Sequence, residues 1–446
     1  MELRAARSLR QPASATSREP SRLLDLELSE PLPSVSPLHG TRRYRRATAL
    51  LRVHRVPVGL MPLELPPGGL EADDLARAIW TAAGDVVNAH LREDGIPEPS
   101  GLEAGGLTAA ADPACQRARR ELLETAPPIT VVVATRERAG GLAVCLRSLL
   151  TLDYPRFEIV VVDSAPDTDA TRNLVESLRA DGAPVRYARE KRPGLARAHA
   201  RGLDEAEAPL IALTDDDVVV DRDWLTAIAQ GFASASDVGC VTGLILPSEL
   251  ETPAQIWFER RARLNKGFER TTFRWGAEHA GDPLFPYTAG RFGSGANMAF
   301  DTAALRSARG FDTATGVGTA ARGGDDLIAF FRVLAAGYSL VYEPRALLWH
   351  AYRGEVERLR RQMFDYGAGL TAYLTSIVLE QPRRALDLVP RLPRAARYAF
   401  SSKSPRNPPL SFPFERKLLW AERLGMGYGP LGYFVSKRRA RRLEAA

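Results

Sequence analysis

Apolar and polar positions fall into distinct regimes along the chain. Residues 1–45, rich in Pro, Ser and Arg, show no sustained period and are expected to form a disordered leader. In TALLRVHRVPVGLMPLEL, short apolar runs broken by Pro and Gly predict two or three strands. The next stretch, LEADDLARAIWTAAGDVVNAHLRED, carries Leu75, Ile79, Trp80, Ala83, Val86 and Val87 at helical spacing and predicts an amphipathic helix. Residues 46–110 thus read as a small α+β appendage, with the Gly-rich SGLEAGGLTAAA as its linker.

From Ile129 the pattern changes to strand–helix alternation, the signature of an α/β parallel sheet. ITVVVAT is apolar without interruption, as a strand buried on both faces requires. FEIVVVDSA, VRYARE and LIALTDDDVVV follow as strands, separated by helical segments beginning near Gly141, Asp169 and Gly194. The strands end in polar residues: Thr135-Arg136-Glu137, Asp163-Ser164 and Asp215-Asp216-Asp217. In open α/β sheets the carboxyl ends of the strands are where ligands bind. No GxGxxG follows the first strand, which disfavours a nicotinamide or flavin enzyme.

Composition adds little until it is divided by region. The chain is 45% hydrophobic and 26% charged, within the globular range, and its net charge is +6. Residues 381–446 hold fifteen basic and four acidic residues, a net charge of +11, so the preceding 380 carry −5. A nucleic-acid-binding core is therefore disfavoured. Cys115, Cys145 and Cys240 are widely spaced with no CxxC, so neither a disulfide framework nor a zinc site is expected. That cysteine usage suits a cytoplasmic setting. No apolar run approaches the length of a membrane-spanning helix, and no secretory signal is visible.

The candidate chemistry is acidic. Adjacent carboxylates at Asp215-Asp216-Asp217 repel one another and need a cation or basic partners. In an extended chain the first and third share a face, a pair of oxygen donors suited to Mg2+ or Mn2+. The competing reading is a solvated turn before a helix. Asp325-Asp326, after a Gly-Gly turn, open an apolar-faced helix; they serve as an N-cap, as a general base, or as both. RFGSGANMAF, between them, permits close backbone approach. His350 closes YEPRALLWH and is a third metal-ligand candidate, with Arg353 nearby to pair with phosphate.

Taken in order, PxITVVVAT, VVDSA, RPGLARAHARG, TDDDV, GSGANMAF, GGDDLIAFFRVL and WH resemble the inverting family 2 glycosyltransferases of GT-A fold, over roughly residues 127–355. The flanks resemble those of large actinobacterial members. The resemblance implies a Rossmann-like, mostly parallel sheet flanked by helices, with the appendage before it and a helical, basic region over 356–446. It implies a hexosyltransferase that moves a sugar from a nucleotide-diphosphate sugar to an acceptor hydroxyl, with Mn2+ or Mg2+. The acceptor would be a sugar, a lipid-linked sugar or a small molecule, in polysaccharide, glycolipid or cell-envelope synthesis. By the same resemblance Ala134, Thr135, Glu137 and Asp163 line the base and ribose pocket, with Arg192 and Arg197 near the base or diphosphate. Asp215 and Asp216 lie by the donor, Asp215, Asp217 and His350 hold the metal, and Asp326 is the base beside Asp325. Asp325 departs from the family's usual Glu, which leaves the choice between the two acids open. A sugar-nucleotidyltransferase or a non-catalytic nucleotide-sugar-binding module is the alternative.

The basic region has two readings. Tyr428, Tyr433 and Phe434 before Lys-Arg-Arg-Ala-Arg-Arg form either a solvated tail or a peripheral contact with the inner face of the cell membrane.

Overall fold

The computed structural model describes residues 18–107, 112–276, 282–401, 404, 407 and 412–444, in two compact units. The first comprises the described residues up to Thr125 together with 247–269. Its elements are β1 (Arg22–Glu27), β2 (Leu38–His39), β3 (Arg42–Arg43), β4 (Arg46–Val53), β5 (Val56–Glu64), α1 (Ala72–Glu93) and α2 (Ala114–Thr125). β1 runs parallel to β4, and β4 antiparallel to β5, making a three-stranded sheet. α1 buries Leu75, Ile79, Ala83 and Val87, the stripe that the helical spacing marks.

The disordered leader expected over 1–45 is corrected from residue 18 onward, residues 1–17 lying outside the described ones. β1 is a paired strand, and Leu26, Leu28, Leu32, Val35 and Tyr44 are buried in this unit's core. Apolar residues scattered among Pro and Ser carry no period, so their burial is invisible until β4 supplies a partner.

The second unit begins with β6 (Ile129–Thr135), α3 (Ala139–Leu149), β7 (Phe157–Ser164), α4 (Ala170–Ala180), β8 (Val185–Glu190) and α5 (Leu195–Glu205). It continues with β9 (Leu210–Asp215), β10 (Val218–Val220), α6 (Trp224–Phe232) and β11 (Val238–Pro247). The chain then forms α7 (Pro253–Ala262), which belongs to the first unit, and returns as β12 (Thr271–Phe273) and β13 (Asn297–Asp301). There follow α8 (Thr302–Ser307), α9 (Asp325–Ala335), β14 (Ser339–His350), α10 (Val356–Glu380), α11 (Arg384–Leu388), α12 (Leu392–Phe400) and α13 (Glu415–Glu444).

The excursion at 247–269 interrupts the span read as a single domain over 127–355. It is held within the first unit by Arg42, whose guanidinium donates to Glu251 at 2.9 Å, and by a capping box of Thr252 and Gln255 that starts α7.

One nine-stranded sheet runs through the second unit, in the order β10-β14-β11-β13-β9-β6-β7-β8 with β12 beside β14. β9, β6, β7 and β8 are parallel, the α/β core that the alternation predicts. β13 and β10 extend it antiparallel to β9 and β14. All of β6 is buried, as its unbroken apolar run requires. Under the site Asn297 ties the sheet together: it accepts the Trp224 indole N–H at 2.9 Å and donates to the Leu244 and Ala346 carbonyls at 3.0 and 2.8 Å.

The C-terminal region is helical, as expected, but it is not a free tail. Tyr433, read as part of an interfacial segment, is buried, and its hydroxyl donates to Asp312 at 2.8 Å. Glycines bring α13 against α10: a Cβ on Gly425 would lie 2.0 Å from the Phe364 carbonyl oxygen.

Candidate functional site

Register places the predicted site residues at one level. Thr135 lies opposite Asp163 across β6–β7, and Ala134 opposite Asp215 across β6–β9. The chain does not stay extended through the acidic run. β9 stops at Asp215, Asp216 and Asp217 turn, and β10 pairs elsewhere, with Val218 opposite His350 of β14. That turn brings the imidazole to the acids. His350 Nε2 is 3.2 Å from Asp217 Oδ1 and 3.8 Å from Asp215 Oδ2. Donor atoms of Asp215, Asp217 and His350 all lie within 4.8 Å of one another.

The three carboxylates have separate roles. Asp216 turns away from this cluster: it accepts the Thr135 hydroxyl at 2.6 Å and the Arg138 guanidinium at 2.6 Å. Burial nevertheless raises its pKa, against those two partners. Burial opposes the charge on Asp217 too, but His350 and Arg138 hold it well below the usual carboxylate range. Arg138 reaches Asp217 at 2.9 Å and Arg353 at 3.5 Å. At Asp215 burial and then the neighbouring Asp217 outweigh the more distant His350 and push it up to about 6. The His350 imidazole is raised overall: burial disfavours its charge, and Asp217 and Asp215 outweigh that. Two carboxylates and an imidazole converging in this way suit Mn2+ or Mg2+, and Asp215, a third exposed, leaves one side open.

The second acidic pair sits at the start of α9. Gly324 has φ +88°, and a Cβ there would lie 2.6 Å from the Gly369 carbonyl oxygen, so the turn demands glycine. Asp325 is buried and committed, its Oδ2 3.1 Å from His199 Nδ1 on α5. Asp326 Oδ2 accepts the Gly295 N–H at 2.9 Å, and Oδ1 accepts the Leu327 N–H at 2.8 Å. A Cβ on Gly295 would come within 3.2 Å of the Asp326 Cβ, the close approach that the Gly-Ser-Gly-Ala-Asn stretch allows. Burial, then Asp325, push Asp326 up to about 6 despite those two N–H donors. His199 lies near enough to act electrostatically on both Asp215 and Asp326, which joins the two acidic sites.

The remaining predicted residues lie around this centre. Asp163 is fully buried at the end of β7; its Oδ2 accepts the Tyr187 hydroxyl at 3.1 Å, and Oδ1 has no partner. Its pKa is raised, burial outweighing the hydrogen bond from Tyr187. Glu137, at φ +52°, accepts the N–H groups of Asp167 and Thr168 at 2.8 and 3.0 Å, stapling the loop after β6 to the loop after β7. Arg192 donates to Glu190 at 2.9 Å, and Arg197 is buried. Burial disfavours the Glu190 charge, yet Arg192 and then Arg197 hold it below the usual range. Arg138 and His199 were not singled out from sequence. Arg138 stands just after the first strand and His199 inside RPGLARAHARG, but only the fold shows which acid each one faces.

Residues 130–295 match the family model described as Glycosyl transferase family 2. The pre-mycofactocin glycosyltransferase of Mycobacterium tuberculosis is 24% identical over 239 residues, 54% of this chain and 46% of the relative. The chain thus spans about half the length of the curated relatives it matches. Among solved structures, a mannosyltransferase from Pyrobaculum calidifontis in complex with GDP-Man and Mn2+ is 20% identical, covering 71% of this chain and 75% of that one, with a TM-score of 0.40. GalNAc-T7 with UDP, GalNAc and Mn2+ is 16% identical, covering 54% and 50%, with a TM-score of 0.38.

Proposed function

We propose that this chain, which carries a glycosyltransferase family 2 domain over residues 130–295, transfers a sugar with inversion from a nucleotide-diphosphate sugar to an acceptor hydroxyl. The observation that carries this reading is the division of labour between the acids. Asp215, Asp217 and His350 converge as ligands, while Asp326 alone of the α9 pair is not taken by a side chain.

Asp215, Asp217 and His350 would hold a divalent cation, which supplies Lewis-acid stabilisation of the departing diphosphate. Asp163, at the same level of the sheet, has a buried carboxylate oxygen to offer a base N–H. Gly295 and Leu327 fix the Asp326 carboxylate through their N–H groups. Asp326 takes the proton of the acceptor hydroxyl, whose oxygen bonds to the anomeric carbon as the bond to the diphosphate oxygen breaks. One displacement inverts the configuration. Asp325 is held by His199 and positions Asp326.

Release of nucleoside diphosphate from a panel of sugar nucleotides with Mn2+ tests the reading; a binding module would release none. The pH profile sharpens it. A base with a pKa of about 6 is ionised above that pH, so the transfer rate falls tenfold per unit below about pH 6 and levels off above it. A rate flat from pH 5 to 8 under chemistry-limited conditions counts against Asp326.

The acceptor would be met at a membrane surface. No helix among the described residues is long and apolar enough to cross a membrane. However, α11, α12 and the 3-10 turn Val389–Arg391 between them bury no residue, and this stretch exposes Leu386, Val389, Leu392 and Phe400 beside Arg383, Arg394 and Arg397. Apolar residues interleaved with arginine suit the inner, anionic leaflet and a lipid-linked acceptor. In flotation with phosphatidylserine vesicles, L386S/V389S/L392S is expected to lose the co-flotation of the parent. Equal recovery of both would sink the membrane contact. These positions are used because deleting residues 381–446 would also remove the buried Tyr433.

A further inference from the structure

A second cluster of metal-ligating side chains lies in the first unit, outside the site described above. His54, His90, Asp94 and Cys115 bring one donor atom each to within 4.8 Å of one another. They include two of the chain's six histidines and one of its three cysteines. Asp94 Oδ2 is the focus, 2.7 Å from His54 Nδ1, 3.1 Å from His90 Nε2 and 3.0 Å from Cys115 Sγ. Cys115 Sγ is 3.9 Å from His90 Nε2. A tetrahedral zinc ion with bonds of about 2.0–2.3 Å has donor–donor edges of roughly 3.3–3.8 Å, so Asp94 Oδ2 would draw back from its three neighbours by up to roughly half an ångström to admit the ion.

Three separate pieces of the fold meet here, and each is held in place. His54 and Arg55 form the two-residue turn between β4 and β5, with φ of +54° and +71°, where side-chain-bearing residues are strained. The Glu27 carboxylate accepts both of their N–H groups, at 3.0 and 2.7 Å. His90 and Asp94 share a face one turn apart at the end of α1. Cys115 opens α2, and its own N–H donates to Asp94 Oδ1 at 2.8 Å, fixing the carboxylate from behind. α2 itself buries no residue among those described, so hydrophobic packing does not account for its position.

We propose that His54, His90, Asp94 and Cys115 bind one zinc ion that fastens α2 to α1 and to the β4–β5 turn. Four protein ligands make a closed, structural site, unlike the open acidic cluster of the second unit. On binding, Cys115 releases its thiol proton to solvent, and the metal replaces the hydrogens that now point at Asp94 Oδ2. Absence of a CxxC in the sequence conceals the site because its ligands come from three separate stretches.

The test uses the full chain, stripped with chelator and titrated with Co2+ in excess Mg2+. A thiolate-to-cobalt charge-transfer band in the near ultraviolet is expected, with tetrahedral visible bands, bleached by one equivalent of Zn2+. The acidic cluster has no sulfur and cannot give the near-ultraviolet band. C115S should abolish it while leaving two of the chain's cysteines in place. Zinc should also slow alkylation of Cys115 in the unsubstituted protein, a readout that needs no variant. No charge-transfer band at saturating Co2+, a band that persists in C115S, or unchanged Cys115 alkylation with zinc would each overturn the proposal.

Discussion

Asp326→Asn is expected to lower sugar transfer by about 10²–10⁴-fold while donor binding persists, because on the proposed mechanism it removes the proton acceptor and little else. Asparagine has the shape of the aspartate and can still accept one of the two N–H groups, from Gly295 or Leu327, that hold the carboxylate. Its amide cannot take a proton from an acceptor hydroxyl at neutral pH. On the proposed reading the donor would meet Asp163 of β7, Asp215 of β9 and Asp217 of the following turn, so thermal shift with the sugar nucleotide and Mn2+ should still report binding. Asp325→Asn is the control. His199 already occupies that side chain, so its loss should act through the placement of Asp326 and be the smaller of the two. Full transfer by Asp326→Asn would refute the assignment, and a larger loss at Asp325 would move the base one residue back.

The parts legible in the sequence were those fixed by local pattern. β6, β7 and β9 declare themselves because strands buried on both faces carry long apolar runs. The acids near their ends, Asp163 of β7 and Asp215 of β9, stand out against that background, as Asp326 does at the start of the apolar-faced α9. What depends on contacts between distant segments was not legible. Nothing local says that β9 stops at Asp215 and that β10 delivers the turn to His350, or that Arg138 bridges Asp216 and Asp217. The contact that distinguishes Asp325 from Asp326 is equally non-local: His199, its partner, lies 126 residues away from Asp325 in the chain. Likewise Tyr433 reads as an interfacial aromatic until Asp312 is seen to accept its hydroxyl.

Asp217→Ala should cost roughly a thousandfold in transfer at a fixed Mn2+ concentration and move the Mn2+ midpoint upward, since the cation's stabilisation of the leaving diphosphate amounts to several kcal/mol. Asp217 is where His350, Arg138 and Arg353 converge, at 3.2, 2.9 and 3.5 Å. Its removal takes one donor from the ligand set and leaves three basic groups facing a cation without their counter-charge. Asp215 cannot compensate alone, because burial already disfavours its ionised form. Asp216→Asn separates this account from a mere loss of negative charge. Asp216 is adjacent in sequence but bonded to Thr135 and Arg138, so its variant should leave the Mn2+ midpoint in place even if the turn loosens. If the midpoint moved in Asp216→Asn and stayed in Asp217→Ala, the ligand would be the middle carboxylate, and the turn would have to reorganise when the donor binds.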